Sequence, residues 1–238
     1  MKNQYFGDIN DFRKYGLLRA LSSDRKIKTA VCWMLTANDG GTDGRFTDYL
    51  NRPDRWRKHD PELFDVLREI VVDGTKRDVG RAEHAVLIKR ASYYSCELTD
   101  GNRSDYFTQF LKRVTPSHLV FFDPDNGFEV NSVGKGKRGS GKYFYWDEVS
   151  LFFSTGASLL IYQHFPRIDR KKFLTLKANK IFAATQSLLV YAFVTTRVVF
   201  FLIPQKHHLK FFQASIEKVT ETWGEEFTIQ KFHRTSAH

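Results

Sequence analysis

Asp123, Asp125, Asn126 and Glu129 crowd three carboxylates and an amide into seven positions of the stretch SHLVFFDPDNGFE. An apolar run from Leu119 to Phe122 stops at Asp123, and the turn formers Pro124, Asn126 and Gly127 follow. A short continuous apolar run bounded by turn residues reads as a strand buried on both faces of a parallel sheet. Ligands of open α/β sheets sit beyond the carboxyl ends of such strands, so Asp123 and Asp125 fall where chemistry would be done. Two chemistries suit them. Asp123, Asp125 and Glu129 could hold Mg²⁺ for phosphodiester hydrolysis. Alternatively, Asp123 and Asn126, fixed by a rigid proline turn, offer acceptors to an exocyclic amine. A capped turn with no further role is the bland alternative.

Three other places carry polar groups of the right kind. Ala37 to Gly44 (ANDGGTDG) follows an apolar stretch. Its Gly40 and Gly41 would let backbone approach a ligand closely, while Asn38, Asp39 and Asp43 could bond ribose or amino-acid groups. It is not a GxGxxG fingerprint, and a plain glycine turn fits it equally well. Val130 to Lys142 (VNSVGKGKRGSGK) is glycine-rich and basic, which predicts a mobile loop. Gly136 to Lys142 approximates a phosphate loop, but Tyr143 stands where a magnesium-binding hydroxyl is needed, which argues against an ATPase. Lys135, Lys137, Arg138 and Lys142 would instead neutralise phosphates, with Tyr143, Tyr145 and Trp146 as stacking faces or as core. His164 ends the next apolar run, SLLIYQHF. It could contact phosphate or move a proton, or simply bond backbone.

The pattern of elements would place these groups together. Asp8 precedes apolar positions at helical spacing and can cap a helix ending near Ser22. Strands are expected over Lys26 to Thr36, Leu119 to Phe122 and Ser158 to Phe165, and one bent or two short strands within Glu83 to Glu97. A further pair, Leu188 to Val194 and Val198 to Ile203, meets at Thr195-Thr196-Arg197, and Glu226 to Phe232 reads as an edge strand. Helices are expected near Thr47, over Pro61 to Val71, Arg103 to Val114, from Asp147, over Ile168 to Ala184 and over His207 to Thr222. The charged segment 52–81 reads as an insertion or lid. Strands alternating with helices imply a single Rossmann-like α/β domain over 1–238: a mainly parallel twisted sheet, an antiparallel final strand pair and helices on both faces.

Composition bounds the rest. The 238 residues are 42% hydrophobic, enough for one full core. No run approaches the length of a membrane span, and MKNQYFGDIND has no apolar signal region, so a cytoplasmic protein is expected. Cys32 and Cys96 both lie in strand-like stretches and read as small buried hydrophobes. No HxxxH or CxxC spacing suggests structural zinc. A net charge of +10 with 15% aromatics suggests a nucleic-acid partner, DNA or RNA, whose bases can stack.

Taken in order, these pieces resemble the class I S-adenosylmethionine-dependent methyltransferases, in particular the 23S ribosomal RNA adenine-N6 methyltransferases. Phe6-Gly-Asp-Ile-Asn-Asp-Phe-Arg-Lys-Tyr15 is similar to that family's AGNHADVLKH segment, which shapes the cofactor pocket. Ala37 to Phe46 resembles its THAGAGRY methionine-binding loop, Asp100-Gly101 its acidic adenine-receiving turn, and Asp123-Pro-Asp-Asn126 its DPPY tetrapeptide. The resemblance implies S-adenosylmethionine held by Asn38, Asp39, Gly40, Gly41 and Asp100. It implies a base amine, flipped from its strand, oriented by Asp123 with Asn126 assisting. Asp125 replaces the family's second proline and Asn126 its aromatic; Phe128, Tyr143 or Tyr162 could supply the missing stack. The expectation is therefore a nucleic-acid methyltransferase, with the Mg²⁺ nuclease and a catalytically inactive binding module of the same fold as alternatives.

Overall fold

The strand expected at Leu119 to Phe122 lies inside a seven-stranded sheet, and all four of its residues are buried. The computed structural model describes residues 1–23, 27–41, 44–72, 77–114 and 117–234; Asp43 lies outside them. The strands are β1 (Thr29–Cys32), β2 (Ala91–Tyr94), β3 (Leu119–Phe122), β4 (Gly127–Phe128), β5 (Tyr143–Phe144), β6 (Ser158–His164), β7 (Leu189–Val194), β8 (Val198–Ile203) and β9 (Thr228–His233). The helices are α1 (Ile9–Leu21), α2 (Pro53–Trp56), α3 (Pro61–Val72), α4 (Gly80–His84), α5 (Arg103–Val114), α6 (Trp146–Ser154), α7 (Arg170–Thr185) and α8 (Leu209–Trp223).

Sheet order is β2-β1-β3-β6-β8-β7-β9, with β4 and β5 forming a separate small pair. β1, β2, β3 and β6 run parallel. β8 runs antiparallel to both β6 and β7, and β9 antiparallel to β7. The expected Rossmann-like α/β fold with an antiparallel finish is the fold observed. Side chains alternate across it as the pleat requires. Leu119 and Phe121 join one core with Phe12, Leu18, Phe64 and Trp223 from α1, α3 and α8. Val120 and Phe122 join the other with Phe110, Phe152 and Ile181 from α5, α6 and α7. The sheet is thus covered on both faces.

Three details differ from the sequence reading. Segment 52–81 contributes Trp56, Leu63, Phe64 and Leu67 to the core, so it is a packed part of the helical layer rather than a lid. Glu83 falls in α4, and only Ala91–Tyr94 of the Glu83–Glu97 stretch is strand. Cys32 is buried as expected, but Cys96 is exposed because it lies just past the end of β2. No described helix is long and apolar enough to cross a membrane.

Placement of α1 matters most for the site. Asp8 caps it, accepting from the amides of Asn10 and Asp11 at 2.8 and 2.9 Å. At Gly16 a Cβ would stand 2.0 Å from the Trp223 ring, so glycine there lets α1 seat against α8. So seated, α1 points its first two turns at the carboxyl ends of β3 and β6.

Candidate functional site

At those strand ends lies a cavity of about 540 Å³, within the size range of small-molecule and cofactor sites. Its floor comes from Met1, Lys2, Asp8, Asp11 and Lys14, with Asp123 and Asp125 following β3. Tyr162 and His164 enter from β6, Asp39 from the loop after β1, and Arg197 from the β7–β8 turn.

Lys14 is the hub of the floor. Its Nζ lies 2.6 Å from Asp11 Oδ1 and 2.6 Å from Asp123 Oδ2, all three side chains being nearly inaccessible. The cation also lies 5.3 Å from the centre of the Tyr162 ring. Burial alone would lower the Lys14 pKa, but Asp11 and Asp123 outweigh it and raise it, so the ammonium stays charged. Burial raises Asp123 in spite of Lys14. Burial, reinforced by Asp11, pushes Asp8 up to about 7. Asp125 behaves oppositely: burial would raise it, yet the Met1 ammonium at 2.6 Å and the Thr36 hydroxyl at 2.7 Å hold it below the usual carboxylate range.

The turn after β3 is clamped by Gln163, a buried side chain at the end of β6. Its Oε1 accepts from the Phe128 amide at 2.8 Å and its Nε2 donates to the Asn126 carbonyl at 3.0 Å. Gly127 has φ +99°, and a Cβ there would lie 2.3 Å from Gln163 Oε1. Asn126 donates its own amide to the Lys142 carbonyl, leaving its exposed side chain at the cavity wall.

Of the groups assigned to a cofactor, only Asp39 lines the cavity. It is bound by Lys2, Gln4 and the Gly41 amide, and the Lys2 ammonium does most to hold it down at about 2. Asn38 Oδ1 accepts from the Gln4 amide, and Gly40 is exposed. Asp100 stands apart from the cavity, accepting from Gly139 and Gly141 amides and the Ser140 hydroxyl. It anchors the basic loop, which Arg103 also holds through the Ser140 and Tyr143 carbonyls. The loop expected to be mobile is therefore tied down at its C-terminal end.

Within that loop, Lys142 reaches the cavity and Lys137 and Arg138 are exposed away from it. Lys135 pairs with Asp147 and with Glu148. Tyr143 is half-buried in β5. His164 is exposed, its Nε2 3.1 Å from the Tyr162 hydroxyl. Phe128 is buried, its ring stacked 4.5 Å from Trp146; of the three aromatics expected to stack, Tyr162 lines the cavity, where Tyr5 and Phe46 join it.

The alternative Mg²⁺ set is not assembled. Glu129 accepts from the Trp146 amide at 3.1 Å, while cations already engage Asp123 and Asp125. Among the described residues no three His, Cys, Asp or Glu side chains are grouped to hold a metal. Sequence reasoning missed Lys14, Gln163 and Arg197. The i, i+3 spacing of Asp11 and Lys14 marks a shared helix face; nothing local marks Arg197.

No family model matches the sequence, and no curated protein does. Among solved structures, the chain is similar to protein LPL1258 from Legionella pneumophila str. Philadelphia 1, of family DUF519. The TM-score is 0.50 at 10% identity, covering 96% of this chain and 97% of that one. At that identity the likeness shows a shared fold alone.

Proposed function

We propose that the cavity binds S-adenosylmethionine and that the protein methylates a base amine of a nucleic acid. The observation that carries this reading is the charge layout. Five aspartates line the floor (Asp8, Asp11, Asp39, Asp123 and Asp125) against three cations, the Met1 ammonium, Lys2 and Lys14, while Lys142 and Arg197 stand at the mouth. A floor with surplus carboxylates favours a ligand carrying sulfonium and ammonium charge, and a cationic mouth favours phosphates. The size and the position beyond parallel strand ends suit a nucleoside-containing cofactor.

When bound, that cofactor supplies an electrophilic methyl on sulfur, whose transfer to nitrogen breaks the C–S bond and releases a neutral thioether and one proton. The chain's own part is positioning. The exposed side-chain oxygen of Asn126 can accept a hydrogen bond from the incoming amine. Asp123, held by Lys14, anchors the base of that turn. Tyr162 offers its ring as the wall.

Isothermal titration of the whole chain with S-adenosylmethionine tests the cofactor. Saturable binding is expected, weakened only a few-fold by Asp39→Ala, since an exposed charge is screened by solvent. Absence of binding rejects the reading. A second reading, a binding module without turnover, is favoured by the engagement of Asp123 with Lys14 and by Asn126 standing where an aromatic is expected. It predicts oligonucleotide binding without transfer of labelled methyl groups.

A further inference from the structure

The cavity does not end at its mouth. His164 and Arg197 also line a second groove, formed by Phe165 to Arg170 and the tip of the β7–β8 turn. Three arginines face it: Arg167, Arg170 and Arg197. One acid, Asp169, also lines it and caps α7 by accepting from the Lys172 amide at 2.8 Å, so the arginines outnumber it three to one. Arg170 lies over the Phe165 ring, 5.0 Å from its centre, and donates to the Thr196 carbonyl, fixing the turn that carries Arg197.

Apolar surface lies beside the cations. Ile168 is 55% exposed in the groove, and Phe46, at the cavity mouth, is 49% exposed. The Arg197 guanidinium lies 4.5 Å from the centre of the Phe46 ring. An arginine on a half-exposed aromatic is a platform on which an unstacked base can lie.

We propose that this groove carries the backbone of a single-stranded nucleic acid directly beside the nucleotide that enters the cavity. The proposal rests on reading the cavity as a base-modifying site and adds where the flanking strand runs: over β6, the start of α7 and the β7–β8 turn. Arg167 and Arg170 take phosphates, Arg197 takes the phosphate at the threshold, and Phe46 with Ile168 covers base faces. A duplex keeps its bases stacked inside and would leave both apolar residues uncovered, which is why a single strand is the occupant.

The test is fluorescence anisotropy of a labelled 12-nucleotide single strand with the whole chain in 50 and 200 mM salt. Three neutralised phosphates on a single strand give a slope near −0.7 per contact, or about a 20-fold loss of affinity between those salts. Arg167→Ala should reduce that loss to about 7-fold and weaken binding at 50 mM, with S-adenosylmethionine affinity unchanged; Arg170→Ala should reduce the salt response at least as much, since it also frees the turn that carries Arg197. Wild-type salt response in both variants overturns the proposal. Equal or tighter binding of the matching duplex, or of polyglutamate with the same arginine dependence, also overturns it. If the arginine variants lose the oligonucleotide while the wild type binds no S-adenosylmethionine, the groove assignment stands and the cofactor reading falls.

Discussion

Replacing Lys14 with methionine keeps the side chain's length and removes its charge. In the native protein the ammonium sits 2.6 Å from one oxygen each of Asp11 and Asp123, and all three side chains are at most 3% exposed. Lys14→Met leaves two buried carboxylates facing each other with no cation between them. Breaking a buried pair by deleting one partner costs about 3–5 kcal/mol. For a chain of this size each kcal/mol shifts the melting temperature by about 2–4 °C, so a fall of roughly 6–20 °C is expected at pH 8. The pH dependence has a definite sign. Burial already raises the Asp123 pKa and Lys14 opposes that rise; without Lys14 it rises further, so the variant is most stable in acid and loses stability as pH rises through the folded value. The gap from wild type should therefore narrow at pH 5. Lys14→Met combined with Asp123→Asn should recover part of the loss, since the sites are in contact and not additive. Circular-dichroism melts at both pH values measure this. A shift of less than about 2 °C at pH 8, or an equal loss at both, would refute the view that Lys14 neutralises the floor.

The clamp and the cap of the same site make separate predictions. Gly127→Ala forces a side chain into a positive-φ position and against Gln163; it should cost roughly 1–3 kcal/mol in urea unfolding and move the Asp125–Asn126 turn, weakening ligand binding. Wild-type stability in that variant would mean that the turn is not clamped. Asp8 has a folded pKa raised by burial and by Asp11 to about 7, so its contribution is fully present below the unfolded value near 3.8 and is lost as pH rises through about 7. Asp8→Asn keeps the cap but cannot ionise, so it should be more stable than wild type at pH 8 and show a flatter pH profile; an unchanged profile would contradict the burial argument.

Much of the fold is written locally. Four apolar residues closed by Asp123 mark a buried strand wherever they are placed, and the spacing over Arg103 to Val114 gives a helix with those bounds. The break at Thr195-Thr196-Arg197 between two apolar runs is the turn that joins β7 to β8. By contrast, Glu83 to Glu97 misleads, because a short helix and a short strand of mixed residues have no clean period. Asp100 misleads in another way. As an acid after β2 it suits a ligand, but its carboxylate is used up by the amides of a loop forty residues on.

The sequence alone determined where the central strand stops, which carboxylates lie at that stop, and that the net charge would be cationic, while the first strand, Thr29–Cys32, proved shorter than its apolar run. These follow from polarity and period, properties of neighbouring residues. Only the tertiary structure decided that Lys14, 109 positions away in sequence, neutralises Asp123, that Gln163 locks the turn beyond it, and that Arg197 links the cavity to a second groove. Those pairings depend on how α1 seats against α8 and on the order of β3, β6 and β8. Packing across the whole core fixes both, and no local pattern encodes them.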